Sequence, residues 1–245
     1  MSDQFEKVIQ FLVCPQNDFI DKLERGKHKK NKLHIKYQGA LKLRGAPGEP
    51  DFFVETVQRF YDDKICDPQK YTVVIDEDWH PKSCHEFPIF GEHCVKGTEG
   101  AELPEKLEQY RYDPRTVVIR ANSINIASDQ EKYIKTLKEI CGDTRAENIR
   151  VGVMGVWTHV KVEYLMINLH TLWPRIKFEH IAVCEPLCAS PEKSDHNAAI
   201  RKFKEDYKIN VFENIDDYCI WLGLNSEYFE TRLSRHNDES ADVEN

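Results

Sequence analysis

Between residues 78 and 103 the chain reads Asp78-Trp79-His80-Pro81-Lys82-Ser83-Cys84-His85-Glu86-Phe87 and then Gly91-Glu92-His93-Cys94-Val95-Lys96-Gly97-Thr98-Glu99-Gly100-Ala101-Glu102-Leu103. Asp78, His80, His85 and His93 bring one aspartate and three imidazoles into this short stretch. Such a mixed oxygen and nitrogen set suits one divalent transition metal, zinc ahead of iron or manganese, and leaves coordination positions open. The Asp-x-His pair lets two side chains turn toward one ion, and His93 arrives from the next segment to close a facial set. Surface histidines in a long loop without any metal are the bland alternative; agreement across the whole stretch favours an ion.

These residues need a frame that brings them together. Short β-rich runs at 8–13, 71–75, 116–119, 149–154, 180–184 and 210–212 alternate with amphipathic runs at 51–62, 130–141, 158–172, 193–206 and 215–222. That alternation predicts an α/β fold, a doubly wound parallel sheet of about six strands with helices on both faces. Several strands are continuous Val/Ile runs, as expected when both faces are buried. Ligands of such sheets collect beyond the carboxyl ends of the strands. Cys14, Asp78, His80, Arg120 and the stretch from Trp157 to Lys161 all fall at those ends, so they should converge on one pocket.

At 245 residues the chain suffices for one large domain, expected over 1–224 with a lysine-rich insertion at 22–37. The stretch 225–245 is polar and acidic and is expected to be a disordered tail. A net charge of -8 argues against a nucleic-acid partner. No apolar run reaches the roughly 20 residues that span a bilayer, so no membrane partner is expected. Eight scattered cysteines without paired spacing, and no secretory signal, point to reduced thiols and a cytoplasmic location.

The metal stretch resembles that of nicotinamidases, which belong to the isochorismatase-like cysteine hydrolases. The resemblance covers roughly residues 7–222 and rests also on Val13-Cys14-Pro15-Gln16-Asn17-Asp18-Phe19, Val117-Val118-Ile119-Arg120 and Gly155-Val156-Trp157-Thr158-His159-Val160-Lys161-Val162. It implies an Asp, Lys and Cys triad in which a thiolate attacks the substrate carbonyl. At the three matching positions this chain has Cys14, Arg120 and Lys161. The resemblance also implies an aromatic sandwich at Phe19 and Phe90, a non-proline cis bond at Val156–Trp157 that helps form an oxyanion hole, and homo-oligomers.

With Lys161 in place of the cysteine, an acyl-enzyme cannot form there. This leaves two readings. One is a metal-binding protein that has lost cysteine-hydrolase activity and acts by ligand binding or assembly. The other is an active hydrolase of C–N amide bonds with a rearranged site, its nucleophile relocated to Cys14. The replacements make the cleft about two charges more positive, and Arg120 offers a fork suited to carboxylate or phosphate. A small ligand, anionic or pyridine-like, is therefore expected. The rival expectation is internal pairing of Arg120 and Lys161 with nearby acids such as Asp18.

Overall fold

The computed structural model describes residues 5–20, 35, 37–38, 50–64, 70–125, 130–171 and 178–224. In chain order the strands are β1 (Lys7–Val13), β2 (Tyr37–Gln38), β3 (Tyr71–Asp78), β4 (Thr116–Ala121), β5 (Ile149–Val156), β6 (His180–Ser190) and β7 (Asn210–Phe212). The helices are α1 (Asn17–Ile20), α2 (Pro50–Lys64), α3 (Phe87–Phe90), α4 (Glu105–Glu108), α5 (Gln130–Cys141), α6 (Glu163–Thr171), α7 (Lys193–Glu205) and α8 (Ile215–Leu222). The sheet runs β2-β6-β5-β1-β3-β4, with β7 also on β6. Six strands are parallel, as expected, and the short β2 adds an antiparallel pair at the end of β6. Helices pack on both faces of this sheet.

β1 lies at the centre, and everything from Val8 to Val13 is buried on it. That is why its sequence shows an apolar run rather than alternation. β5 lies close against β1 at Gly155, where φ is 129° and a Cβ would lie 2.8 Å from the Val13 Cα. Only glycine fits there.

Four strands run past the carboxyl ends that the periodicity suggests, β5 among them by two residues to Val156. β3 continues to Asp78 and β4 to Ala121, so the carboxylate of the Asp-x-His pair closes a strand instead of standing beyond one. β6 continues past Pro186 to Ser190. A proline cannot donate to the ladder, and the register shifts between Val153↔Val183 and Gly155↔Cys188 to pass it.

The expected helix at 158–172 begins as a π-turn over Thr158–Val162 before α6 proper. Inserted turns of this kind recur at functional sites, and this one carries Lys161. The expected tail at 225–245 and the insertion at 22–37, apart from Ile35 and Tyr37, lie outside the described residues. Among the described residues no helix is long and apolar enough to cross a membrane.

Candidate metal centre and ligand cleft

The carboxyl ends of β1, β3 and β5 sit side by side, with Val13 paired to both Asp76 and Gly155. After β1 the chain turns through Cys14, φ 46°, into α1. The Gln16 side chain then clamps the end of β3: its Nε2 donates to the carbonyls of Asp78 (2.6 Å) and Ala101 (2.8 Å), and its Oε1 accepts from Asp78 N–H (2.7 Å). Asp18 accepts from Cys94 N–H at 2.6 Å, and Asn17 Nδ2 donates to Glu99 O at 2.9 Å. The Gln-Asn-Asp run therefore builds the scaffold beneath the candidate metal ligands.

His80 pairs with Val95 in an isolated bridge, His80 N–H donating to Cys94 O and Lys96 N–H to His80 O. That bridge sets His93 against His80, ring centroids 4.7 Å apart. One donor atom each from Asp78, His80 and His93, all buried, lies within 4.8 Å of the other two. The imidazoles are oriented by backbone carbonyls: Nδ1 of His80 contacts Asn122 O at 3.1 Å and Nδ1 of His93 contacts Gly91 O at 2.7 Å. Outer-shell carbonyls of this kind fix the tautomer that leaves Nε2 for a metal.

The donor set fits a divalent ion on its own geometry. His80 is wholly buried, and among the described residues its Nε2 has no hydrogen-bond partner. Asp78 Oδ2 lies 3.7 Å and Glu86 Oε2 3.8 Å from that nitrogen. An unbonded buried nitrogen flanked by two carboxylates calls for a cation or a proton. Burial opposes protonation of His80, but Asp78 and the Asn122 carbonyl outweigh it and raise its pKa. Burial lowers that of His93, which keeps it neutral.

Lys161 enters this cluster from the π-turn. Its Nζ bonds Asp78 Oδ1 and donates to Ser123 O at 3.0 Å, and the side chain is only 4% exposed. Burial disfavours its charge, yet the Asp78 carboxylate outweighs burial and holds the pKa above the usual lysine range. Burial likewise disfavours the Asp78 carboxylate, and the Lys161 ammonium more than compensates, holding it far below the usual carboxylate range. Two residues earlier on the same face of β3, neither oxygen of the fully buried Asp76 has a hydrogen-bond partner among the described residues. Burial pushes its pKa up to about 7 despite Lys161.

Above the cluster opens a cleft of about 330 Å³ counting its mouth, lined by Phe19, Phe90, Trp157, Val156 and Lys161 together with Asp78, His93 and Glu86. Phe19 and Phe90 meet Trp157 edge-on at 5.8 and 6.4 Å. The Val156–Trp157 peptide is cis. All four expected ligand-binding residues thus converge on one cleft.

Three expected residues are placed differently. His85 is exposed and stands outside the donor cluster, while its neighbours Cys84 and Glu86 turn toward His80. Spacing could not decide this, because the chain turns at 84–87 and successive side chains diverge. Arg120 does not enter the cleft. It pairs in register with Glu77, whose side chain it meets at 2.9 Å, and its guanidinium lies 3.9 Å over Trp79. Residues alternate across a strand, so Glu77 and Arg120 share the face opposite Asp76 and Asp78. The cleft therefore gains one positive charge, not two, and internal pairing prevails, with Glu77 and Asp78 as the acids instead of Asp18.

Cys14 lies below the cleft, 1% exposed and absent from its lining. Burial, then Asp78, pushes its thiol well above the usual range, and Lys161 offsets this only in part. The residues missed by sequence reasoning are Gln16, Asp76, Cys84 and Glu86. Gln16 lies between Val13 and Phe19 in a motif already informative, but it carries no charge to mark it. Asp76 hides within an apolar strand.

No family model matches the chain, and no curated protein matches it. Solved structures do. An isochorismatase-like hydrolase from Alkaliphilus metalliredigens is 17% identical, with a TM-score of 0.61 over 89% of this chain and 97% of that one. PnC1 from L. infantum, solved in complex with nicotinate, is 19% identical, with a TM-score of 0.60 over 87% and 94%. The pyrazinamidase of Pyrococcus horikoshii, solved with zinc, is 18% identical, with a TM-score of 0.55 over 85% and 99%. The chain therefore has the isochorismatase-like fold, with nicotinamidases among its structural neighbours.

Proposed function

We propose that this protein binds one divalent transition ion, zinc foremost, through Asp78, His80 and His93 with Glu86 beside them, and uses the cleft above it to hold a small aromatic ligand. It does so without cysteine-hydrolase chemistry. The observation that carries the reading is the Lys161 ammonium, buried in the cleft and bonded to Asp78 at the position where the resemblance implies a nucleophilic thiol. An ammonium held charged cannot attack a carbonyl. Cys14, the other thiol considered, is buried, protonated in the metal-free site and outside the cleft lining.

The remaining features suit binding. Phe19, Phe90 and Trp157 offer ring faces and edges to a flat ligand. When bound, the ion supplies a Lewis acid and an open position for a ligand nitrogen or oxygen. Two of the three Lys161 N–H groups are taken by Asp78 and Ser123; the third suits a carboxylate. Nicotinate, the ligand of one structural neighbour, has both a ring nitrogen and a carboxylate and is the first probe.

The test joins two measurements on the metal-loaded protein. Calorimetric titration should show nicotinate binding that Phe19→Ala with Phe90→Ala abolishes, and nicotinamide should release no ammonia above the buffer blank. Ammonia release that disappears in Cys14→Ser and survives Lys161→Ala would replace this reading with the rearranged hydrolase.

A further inference from the structure

One buried amide outside the cleft reaches the turn that follows β4. Asn168 lies on α6 in the company of the buried Leu165, Met166 and Leu169, and is itself 2% exposed. A side-chain amide in such a place costs stability unless it is hydrogen-bonded, and a leucine would fill the same space at no such cost. Asn168 Nδ2 donates to Asn125 Oδ1 at 2.6 Å. Asn125 is in turn closed on Ser123, whose hydroxyl donates to Asn125 O and accepts from Asn125 N–H, both at 3.2 Å.

The turn held in this way meets the site at three successive residues. Asn122 O contacts His80 Nδ1 at 3.1 Å, and Ser123 O accepts from Lys161 Nζ at 3.0 Å. Ile124 N–H donates to Glu86 Oε1, and Ile124 lines the cleft. Asn122 is exposed and residues 123–125 are half-buried, so burial alone does little to fix this backbone. Two bonds from one helical run fix it instead, from Lys161 in the π-turn and from Asn168 further along in α6. Lys161 also serves Asp78, whereas Asn168 stands apart from the cluster and from the cleft lining. His93 is oriented separately, by Gly91 O at 2.7 Å.

Resting on the reading of the cleft as a metal centre, we propose that Asn168 is a positioning residue. Through Asn125 it fixes the 122–125 turn, whose backbone aims the His80 ring, the Glu86 carboxylate and the Lys161 ammonium at one place. It touches neither ion nor ligand. The carbonyl at Nδ1 decides how the His80 ring presents Nε2, as outer partners of metal-binding imidazoles do. A turn released from Asn168 carries that carbonyl away from the ring and leaves the Gly91–His93 pair as it was.

The experiment compares wild type, Asn168→Leu, Asn125→Ala and the double variant, all as full-length protein. Long-range proton–nitrogen NMR of the imidazoles is recorded without metal, and zinc affinity is measured by competition with a chelating dye. Asn168→Leu keeps the bulk of the side chain, and Asn125→Ala removes the other end of the bond from a half-buried turn, so it carries the same readouts should the helix variant not fold. In both single variants the His80 ring-nitrogen signals should shift while those of His93 stay in place. Zinc affinity should fall about 10-fold, the low end of what an outer partner of a ligand commands, and the double variant should lose no more than either single one. His80 signals unchanged in a folded single variant, equal shifts of both imidazoles, or additive losses in the double variant would overturn the proposal and leave the metal centre intact. A wild type that binds no zinc would overturn the metal centre, while the comparison of His80 with His93 still decides whether Asn168 positions the ring.

Discussion

Replacing Lys161 by methionine keeps the bulk of the side chain and removes its charge, and the burial of the pair it breaks sets the size of the effect. Lys161 and Asp78 are 4% and 5% exposed, and they bond directly. Breaking a buried pair by removing one partner costs about 3–5 kcal/mol, because the other charge is left in a low-dielectric site. For a chain of this size each kcal/mol moves the melting temperature by roughly 2–4 °C, so metal-free Lys161→Met should melt about 6–20 °C below the wild type at pH 7. The pH dependence has a definite sign. In the wild type Asp78 is held far below the usual carboxylate range, so its contribution is present at neutral pH and is lost only as pH falls through that depressed value. In the variant the unpaired carboxylate gains by protonation, and the gap to wild type should shrink toward pH 5. A bound dication replaces the missing ammonium, so zinc should raise the melting temperature of Lys161→Met more than that of the wild type. Thermal melts in chelator and in zinc, from pH 5 to 8, read all of this. Equal melting of the two proteins in chelator would refute the pairing as a support of the site.

Arg120→Ala should leave zinc and nicotinate binding unchanged and cost about 1 kcal/mol, because Arg120 is 40% exposed and Arg111 still holds Glu77; a titration and a melt check it. Arg111→Ala should cost about 3 kcal/mol or more by the same melt, since Arg111 is nearly buried against the fully buried Glu77. In chelator, Asp76 keeps its proton more tightly when folded, so wild-type stability should fall as pH rises toward about 7. Denaturant titrations should show that Asp76→Asn removes that slope, worth up to about 4 kcal/mol between pH 4 and 8. His80→Ala with His93→Ala should abolish stoichiometric metal by elemental analysis, since Asp78 and Glu86 alone leave the centre without an imidazole.

The sequence was most legible where type and period agree. All six parallel strands and five long helices lie where alternation of β-rich and amphipathic runs places them, and Asp78, His80, His93, Phe19, Phe90 and Trp157 meet at the strand ends. What it could not settle was direction. Asp78 and Arg120 both sit at strand ends, and nothing in their spacing says that one points into the cleft and the other away. That is fixed by the pairing of Glu77 with Arg120 and Asp78 with Ala121, a one-residue parity invisible along a single chain. His85 and Cys84 differ in the same way, by one position in a tight turn. Pro186 hid the second half of β6, because passing it takes a register shift supplied only by the neighbouring strand.

The same parity bears on the chemistry. The site still contains a thiol, an ammonium and an aspartate, the three types that the resemblance implies for its triad, but in exchanged places. The thiol of Cys14 stands where the acid is expected, Lys161 stands where the thiol is expected, and Asp76 comes from the next strand, its carbonyl 2.7 Å from the Cys14 nitrogen. All three are linked through their charges. Exchange is not equivalence, because a nucleophile must face the substrate. Only Lys161 of the three lines the cleft, and its lone pair is held by a proton that Asp78 stabilises. The inward thiol is kept protonated by burial and by two carboxylates. A centre arranged this way presents an ammonium, carboxylates, an imidazole and aromatic rings to whatever enters, and no thiol is among the residues that line the cleft.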